Sequence, residues 1–445
     1  MKERRKKLIL KKGIKLTIKD KNLIVKDELG QGGQGAVYLV NDGQKDYALK
    51  IYKEEPSKEF KANLRNNVLR GAPSSSFLWP IECIESKDIG FGYLMDVRKS
   101  NFVSFISYLN GKNNFKSKRI MLNWCIELVK SFKILHEKGF SYQDINDGSF
   151  FLDPDNGELL ICDNDNVTVD KTNLGILGKM RYMAPEIVRG DKNSITKERQ
   201  MPDTHSDRFS LAVILFLTLC LGDPFEGEVI KKFNVKDEKA DYEIYGNNPV
   251  YIYNRNNSSN RPIRGYHKMV LKRYPLLPDY IKEAFHHTFV EGLKDRENGR
   301  TTEIEWLKLL SRFRDELVTC NNCGGSYYYG FYTKLNASCL LCKTPTKKAC
   351  CLVINRNKIL LEPGKSIYKI HLDRGSDEYN TEVGTVIKNK NNPSLFGIKL
   401  NIDHDVLIKD AKGNEMAIDK NGVIPIIKGL KIKFSDNYIG QIFEL

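Results

Sequence analysis

No segment of this 445-residue chain is apolar for the roughly 20 residues that a membrane-spanning helix requires. The longest apolar stretch, "LAVILFLTLCLG" at 211–222, is long enough only for a buried helix. No secretory leader is expected either, because the basic start is followed by just "LIL" before the lysines resume. With no export signal, the ten cysteines predict a reducing, cytoplasmic compartment, and the two CxxC pairs among them predict metal rather than disulfides. Acidic residues are in short supply: 56 Asp and Glu against 71 Lys and Arg leave a net charge of +15. A composition that is 41% hydrophobic and 29% charged excludes a disordered chain. The length excludes a single core and predicts two to four domains.

The positive charge is unevenly spread. Residues 1–26 hold eleven Lys and Arg against Glu3 and Asp20, so a basic arm is expected over 1–20 and just beyond. Such an arm suits nucleic acid, acidic lipid or an acidic partner, and it equally suits a solvated, frayed terminus. Alone it does not identify a nucleic-acid-binding protein.

Past the arm, "LIVKDELGQGGQGAVYLVNDGQKDYALKIY" alternates apolar and polar residues in three short runs, with Asp42-Gly43 where a hairpin turn is expected. The first run enters a loop holding Gly30, Gly32, Gly33 and Gly35. Glycines let the backbone approach phosphate oxygens without a Cβ in the way. Such a motif alone is weak, and a flexible hairpin explains it as well. Here, however, a strand with "YALK" follows instead of a helix, which excludes a dinucleotide fold. Lys50 then falls where a strand lysine reaches the α- and β-phosphates of ATP.

Farther on, the helical pattern of "MLNWCIELVKSFKILHEKGF" leads into "YQDINDGSFFLD", which carries Asp144. "GELLICDNDNV" reads as a strand delivering Asp163, and "GKMRYMAPEIV" contains Ala184-Pro185-Glu186. "HSDRFSLAVILF" puts Asp207 at the start of the buried helix, and Arg300 lies in "GRTTEIEW". Each feature is ordinary alone. In this order and spacing they predict an α+β, two-lobed protein-kinase fold, with an N-lobe over 21–98 and a C-lobe over 99–316.

Together with "GAPSSSFLWPIE", "IYGNNPVYIYNRNNSSNRP" and the paired cysteines beyond, these segments resemble one bacterial group. It comprises the kinase-like proteins associated with tellurite-resistance-type stress operons, and the resemblance runs from about Leu29 to the C-terminus. It implies ATP and Mg²⁺ as cofactors and a protein substrate. A von Willebrand A-domain protein and a metal-dependent phosphatase are the implied partners. Carried onto this chain, it makes the four glycines a phosphate cover, Lys50 the grip on the α/β-phosphates, Asp144 the group that orients the acceptor hydroxyl, and Asp163 a Mg²⁺ ligand. It also implies that Val37, Ala48 and Phe151 sandwich the adenine, that Met95 is the gatekeeper, and that Asp96 to Arg98 form the hinge.

The chain departs from the kinase pattern H-R-D-x-K-x-x-N at four places, where Tyr142, Gln143, Asn146 and Ser149 stand. Gln143 replaces the arginine that reads an activation-loop phosphate, so loop phosphorylation is not the expected switch. Asn146 replaces the lysine that steadies the γ-phosphate, and Ser149 offers a second Mg²⁺ only a short hydroxyl ligand. Asn164 and Asp165 replace the Phe-Gly of DFG. Asp165 reads either as a compensating carboxylate for hard Mg²⁺ or as a solvated turn residue. The glutamate expected to pair with Lys50 is missing from "SKEFKANLRNNVLRG": counting puts Asn66 or Asn67 in its place, and Glu59 lies one to two turns early.

"CNNCGGSYYYGFYTKLNASCLLC" supplies Cys320-x2-Cys323 and Cys339-x2-Cys342. Two such knuckles bend four thiolates onto one tetrahedral Zn²⁺, and a fully filled set predicts a structural site in a zinc ribbon over 317–348. Tyr327, Tyr328, Tyr329 and Tyr332 serve either for stacking on bases or for ribbon packing. Residues 350–445 show short strands between turn signals and predict an all-β sandwich. This region faintly resembles a forkhead-associated domain, without that family's phosphothreonine-reading set. His371 and His404 read as ordinary core or surface residues. Three functions fit these residues. The favoured one is ATP/Mg²⁺-dependent phosphorylation of Ser or Thr on a bacterial stress-response protein. The others are an ATP-binding scaffold without turnover and a nucleic-acid-binding adaptor using the arm and ribbon.

Overall fold

The computed structural model describes residues 10–18, 21–86, 88–172, 174, 178–192, 201–320, 322–330, 338, 339, 341–345, 349–373 and 375–445. Residues 1–9, 19 and 20 of the basic arm lie outside them.

Six antiparallel strands open the chain: β1 (Lys15–Ile18), β2 (Lys21–Gln31), β3 (Gly35–Asn41), β4 (Asp46–Tyr52), β5 (Glu82–Ser86) and β6 (Gly90–Asp96). They form one sheet in the order β1-β2-β3-β4-β6-β5. Alternation along β3 turns Ala36, Tyr38 and Val40 inward, where they pack with Leu23, Val25 and Leu49. At Gly92 the neighbouring strand comes so close that a Cβ would lie 2.2 Å from the Lys50 carbonyl oxygen. Helix α1 (Lys58–Arg70) crosses this sheet; the Ser57 side chain caps its start by accepting from the Phe60 N–H.

The second lobe is helical. The apolar run singled out in the sequence forms the helix Thr204–Cys220, buried without interruption from Phe209 to Cys220. A helix that is apolar all round belongs in a core. Asp203 and Ser206 close its start with a reciprocal capping box. The helices Lys118–Glu137, Asp279–Val290 and Glu303–Asp315 pack into the same core. Among the described residues, no helix is long and apolar enough to cross a membrane.

Beyond Asp315, the strands Leu317–Thr319 and Ser326–Tyr328 pair antiparallel and carry the first cysteine knuckle between them. The remainder is a sandwich of a six-stranded and a four-stranded antiparallel sheet. Its core includes Leu352, Ile367, Val386, Ile398, Ile432 and Ile442. The sandwich is braced to the helical lobe through the last turn of Glu303–Asp315. Buried Arg314 donates to Asn123 Oδ1 (3.1 Å), Asn380 Oδ1 (2.6 Å) and the Tyr379 carbonyl (2.9 Å), with its guanidinium 3.4 Å from the Tyr368 ring centre. His371 is more than an ordinary core residue. It is buried at this junction, with Nε2 2.8 Å from Asp315 Oδ2.

Candidate active site

The register of β4 with β3 and β6 sets Lys50 opposite Val37 on one side and Tyr93 on the other. The side chain is buried, and its ammonium donates to both oxygens of Asp165 at 3.1 and 2.9 Å and to Asp163 Oδ1 at 3.2 Å. Asp165 is neither a solvated turn residue nor free for an ion: it is fully buried and also accepts from the hydroxyls of Tyr52 and Tyr93. Burial alone would push Lys50 down, but the facing carboxylates of Asp165 and Asp163 outweigh it and raise its pKa. Burial opposes the charge on Asp165 as well, yet Lys50 and the Tyr52 hydrogen bond hold that carboxyl below its usual range. The pair is therefore ionic.

Helix α1 contributes no acid to Lys50. Leu64 is buried in a cluster with Ala48, Phe91, Tyr93 and Met95. Asn66 is exposed; Asn67 is buried, and with Asn63 it donates to the Val167 carbonyl, each at 2.8 Å. The helix is thus tied to the segment after Asp165, while Asp165 itself takes the place of the missing glutamate. Asp163 starts this turn in the left-handed region (φ 55°, ψ 38°), a conformation Asp tolerates better than most residues. Asn164 fixes the turn by donating to the carbonyls of Leu78 (2.8 Å) and Ile161 (2.9 Å). Asp163 stays half-exposed while it accepts from Lys50.

The loop after Phe140–Ser141 hangs from Asp207, which accepts from the Tyr142 N–H at 2.6 Å. His136 bridges Asp207 (3.1 Å) and Glu303 (2.9 Å). Burial would lower its pKa, but these two hydrogen bonds prevail and raise it to about 9. Gln143 donates to the Thr168 hydroxyl and the Thr172 carbonyl, so an uncharged side chain holds the segment that a phosphate-reading arginine would otherwise order. Asp144 is half-buried, and burial raises its pKa against the opposing hydrogen bond from Asn146 Nδ2 to its Oδ1 (3.0 Å). Ser149 is fully buried, and its hydroxyl donates to the Asp144 carbonyl at 3.3 Å. Lys179 approaches the same loop from the segment before Ala184, with Nζ 2.6 Å from Asp147 Oδ1. Its charge bears on Asp144 too.

Of the residues expected around adenine, Ala48 pairs in register with Met95 and both are buried. Phe151 is half-buried, and the Arg98 guanidinium lies 4.5 Å from its ring centre. Asp96 is exposed and paired with Lys45 at 2.7 Å. Above the cleft, Gly30, Gly32 and Gly33 face open space, whereas a Cβ on Gly35 would meet the Ile51 carbonyl oxygen at 2.4 Å. The fold thus gathers Lys50 and Asp163 at one end of the cleft and Asp144, Asn146 and Ser149 in the adjoining loop. Sequence reasoning missed Tyr52, Tyr93 and Lys179. Tyr52 had a signal, because it lies two residues from Lys50 and therefore on the same face of β4.

The four ribbon cysteines converge, with ligand sulfurs all within 4.8 Å of one another. Cys320 and Cys342 sulfurs are 3.6 Å apart, as are those of Cys323 and Cys339. A tetrahedral ion with Zn–S bonds of about 2.3 Å sets sulfur–sulfur edges of roughly 3.8 Å, so the donor set fits structural zinc. Hydrogen bonds from Thr344 lower the Cys342 pKa to about 5, which favours the thiolate a metal needs.

A family model described as the protein kinase domain matches residues 23–263. Protein kinase C, eye isozyme, of Drosophila melanogaster is 27% identical over 227 residues, covering 48% of this chain and 30% of that protein. The serine/threonine-protein kinase Nek11 of Homo sapiens is 24% identical over 238 residues, covering 47% of this chain and 33% of that protein. Protein kinase YegI of Escherichia coli K12 is 25% identical over 307 residues, covering 66% of this chain and 45% of that protein. The chain thus spans between 30% and 45% of the length of these curated relatives. With the matched domain covering more than half of its residues, the chain belongs to the protein kinase family.

Proposed function

We propose that this protein is an ATP- and Mg²⁺-dependent serine/threonine kinase whose phosphate-gripping lysine is held by its own DFG-position loop rather than by helix α1. The observation that carries this reading is the buried Lys50–Asp165 pair, with Tyr52 and Tyr93 completing the carboxylate's partners. In a kinase site the protein supplies position and charge rather than covalent chemistry. Lys50 is ionised and rigidly placed beneath the glycine loop for α/β-phosphates. Asp163, half-exposed beside it, is the residue to hold Mg²⁺, which would neutralise phosphate charge when bound. Asp144 orients the acceptor hydroxyl, and its raised pKa suits a group that takes a proton late. The Ser149 hydroxyl is turned to backbone, so in this reading it supports the loop and gives little to a second ion. Lys179 supplies the positive charge that Asn146 lacks.

Val37, Ala48, Met95 and Phe151 frame the adenine, with Asp96 to Arg98 as hinge, and the zinc ribbon is structural. The substrate class is a protein hydroxyl. A partner from a bacterial tellurite-type stress system, such as a von Willebrand A-domain protein, and a cytoplasmic setting accord with the sequence resemblance. The sandwich is read as a brace, through Arg314 and His371, rather than as a phosphothreonine reader. A scaffold without turnover is the second reading, favoured by the neutral Asn146 and inward-turned Ser149. Label transfer from γ-labelled ATP by wild type and by Asp144→Asn separates the two.

A further inference from the structure

A cavity of about 320 Å³ lies where the helical lobe meets the zinc ribbon, lined by none of the residues assigned to nucleotide. Its walls are apolar, including Met121, Leu219, Leu277, Phe313 and the ribbon's Tyr327. Its charged lining is of one sign: Lys118, Lys272 and Arg273 all border it. Among the described residues, none of these three is ion-paired to Asp or Glu; Arg273 donates only to the Tyr108 hydroxyl, at 3.2 Å. The Lys118 ammonium instead sits 6.0 Å from the ring centres of both Phe313 and Tyr327.

Three further features add positive potential without any counter-charge. Lys118 opens the 20-residue helix Lys118–Glu137, whose N-terminus carries partial positive charge. The first turn of that helix has no acidic residue, against the usual preference. The described ribbon residues within 317–349 include no Asp or Glu, but do include Lys343. Burial and neighbouring Arg273 push Lys118 down to about 8, with no carboxylate to oppose them. Cations crowded around an apolar hollow are stable only with an anion among them or at a cost to each other.

We propose that this cavity binds a small anionic amphiphile, its carboxylate between Lys118 and Arg273 and its apolar tail among Met121, Leu219, Leu277 and Phe313. A hollow at the lower end of the usual range for small-molecule sites admits a tail of about ten carbons. Nucleic acid is a poorer match, because a phosphate backbone calls for an open basic groove rather than an apolar hollow. The site joins helical lobe and ribbon, so its occupant would tie the two together.

The test is titration calorimetry of the full zinc-loaded chain with sodium decanoate below its micellar concentration. One saturable site is expected, with decanol and acetate each binding at least tenfold more weakly. Lys118→Met should weaken decanoate at least tenfold while leaving ATP binding unchanged and without lowering the melting temperature of the free chain; Lys272→Met, at the rim, should weaken it less. Equal affinity for decanol and decanoate would reduce the site to a greasy hole and overturn the proposal. So would an undiminished decanoate isotherm for Lys118→Met, or full displacement of decanoate by a single-stranded oligonucleotide.

Discussion

Replacing Asp165 by alanine removes, at one stroke, the acceptor for Lys50, Tyr52 and Tyr93. Lys50 is then left buried with one carboxylate, that of half-exposed Asp163 at 3.2 Å. Breaking a buried pair from one side costs about 3–5 kcal/mol, because the remaining charge has lost its compensation. For a domain of this size that corresponds to a fall in melting temperature on the order of 10 °C. Nucleotide affinity should fall as well, since Lys50 would draw Asp163 away from the metal. Two assays suffice: thermal unfolding followed by calorimetry, and Mg-ATP titration below the new midpoint. The double variant Lys50→Met/Asp165→Leu separates the causes. Apolar replacement of both partners should restore the part of the stability lost to the uncompensated Lys50 charge, with the Tyr52 and Tyr93 hydroxyls still short of their acceptor, but none of the nucleotide binding. The sign of the pH dependence follows from the depressed Asp165 pKa. Its contribution is present above the unfolded carboxylate value, about 3.9, and is lost as pH falls through the lower folded value. An Asp165→Ala protein that melts with wild type and binds Mg-ATP equally well would refute the reasoning.

Three other outcomes follow from named contacts. Because the His136 pKa is raised to about 9, its contribution is complete below about 6.5 and lost as pH rises through 9. Urea unfolding should show wild type losing on the order of 3 kcal/mol across that window, and His136→Asn losing little. Cys320→Ser should release zinc, seen by metal analysis, while Mg-ATP binding in the lobes persists, because zinc-site energy is local folding energy. Lys179→Ala should lower kcat by about 10- to 100-fold, or roughly 1.4–2.7 kcal/mol of barrier, with little change in KM for ATP. Adding Asn146→Lys to that variant should restore much of the rate, and no recovery would place the role of Lys179 elsewhere.

The parts of the molecule that could be read from sequence are those encoded over short spans. The period-2 pattern put Lys50 on an inner strand, the uninterrupted apolar run at 211–222 gave the central helix, and the CxxC spacing gathered the four sulfurs. What escaped depends on distance along the chain. Asp165 meets Lys50 across 115 residues, and a carboxylate in "DNDN" looks like a solvated turn until the fold buries it. The acid that holds Lys50 therefore belongs to a different element from α1. That helix spends Asn63 and Asn67 on the Val167 carbonyl instead. His371 was unremarkable for the same reason, since Asp315 lies 56 residues away on another domain.

Phosphate transfer tests the central reading most directly. Purified wild type and Asp144→Asn would be incubated with γ-labelled ATP, Mg²⁺ and a protein substrate, and incorporated label counted on serine and threonine. Asp144→Asn touches the acceptor side only, so it should bind Mg-ATP as wild type does and lose nearly all transfer. Equal label in the two reactions would contradict the account and leave a nucleotide-binding scaffold with a kinase's shape.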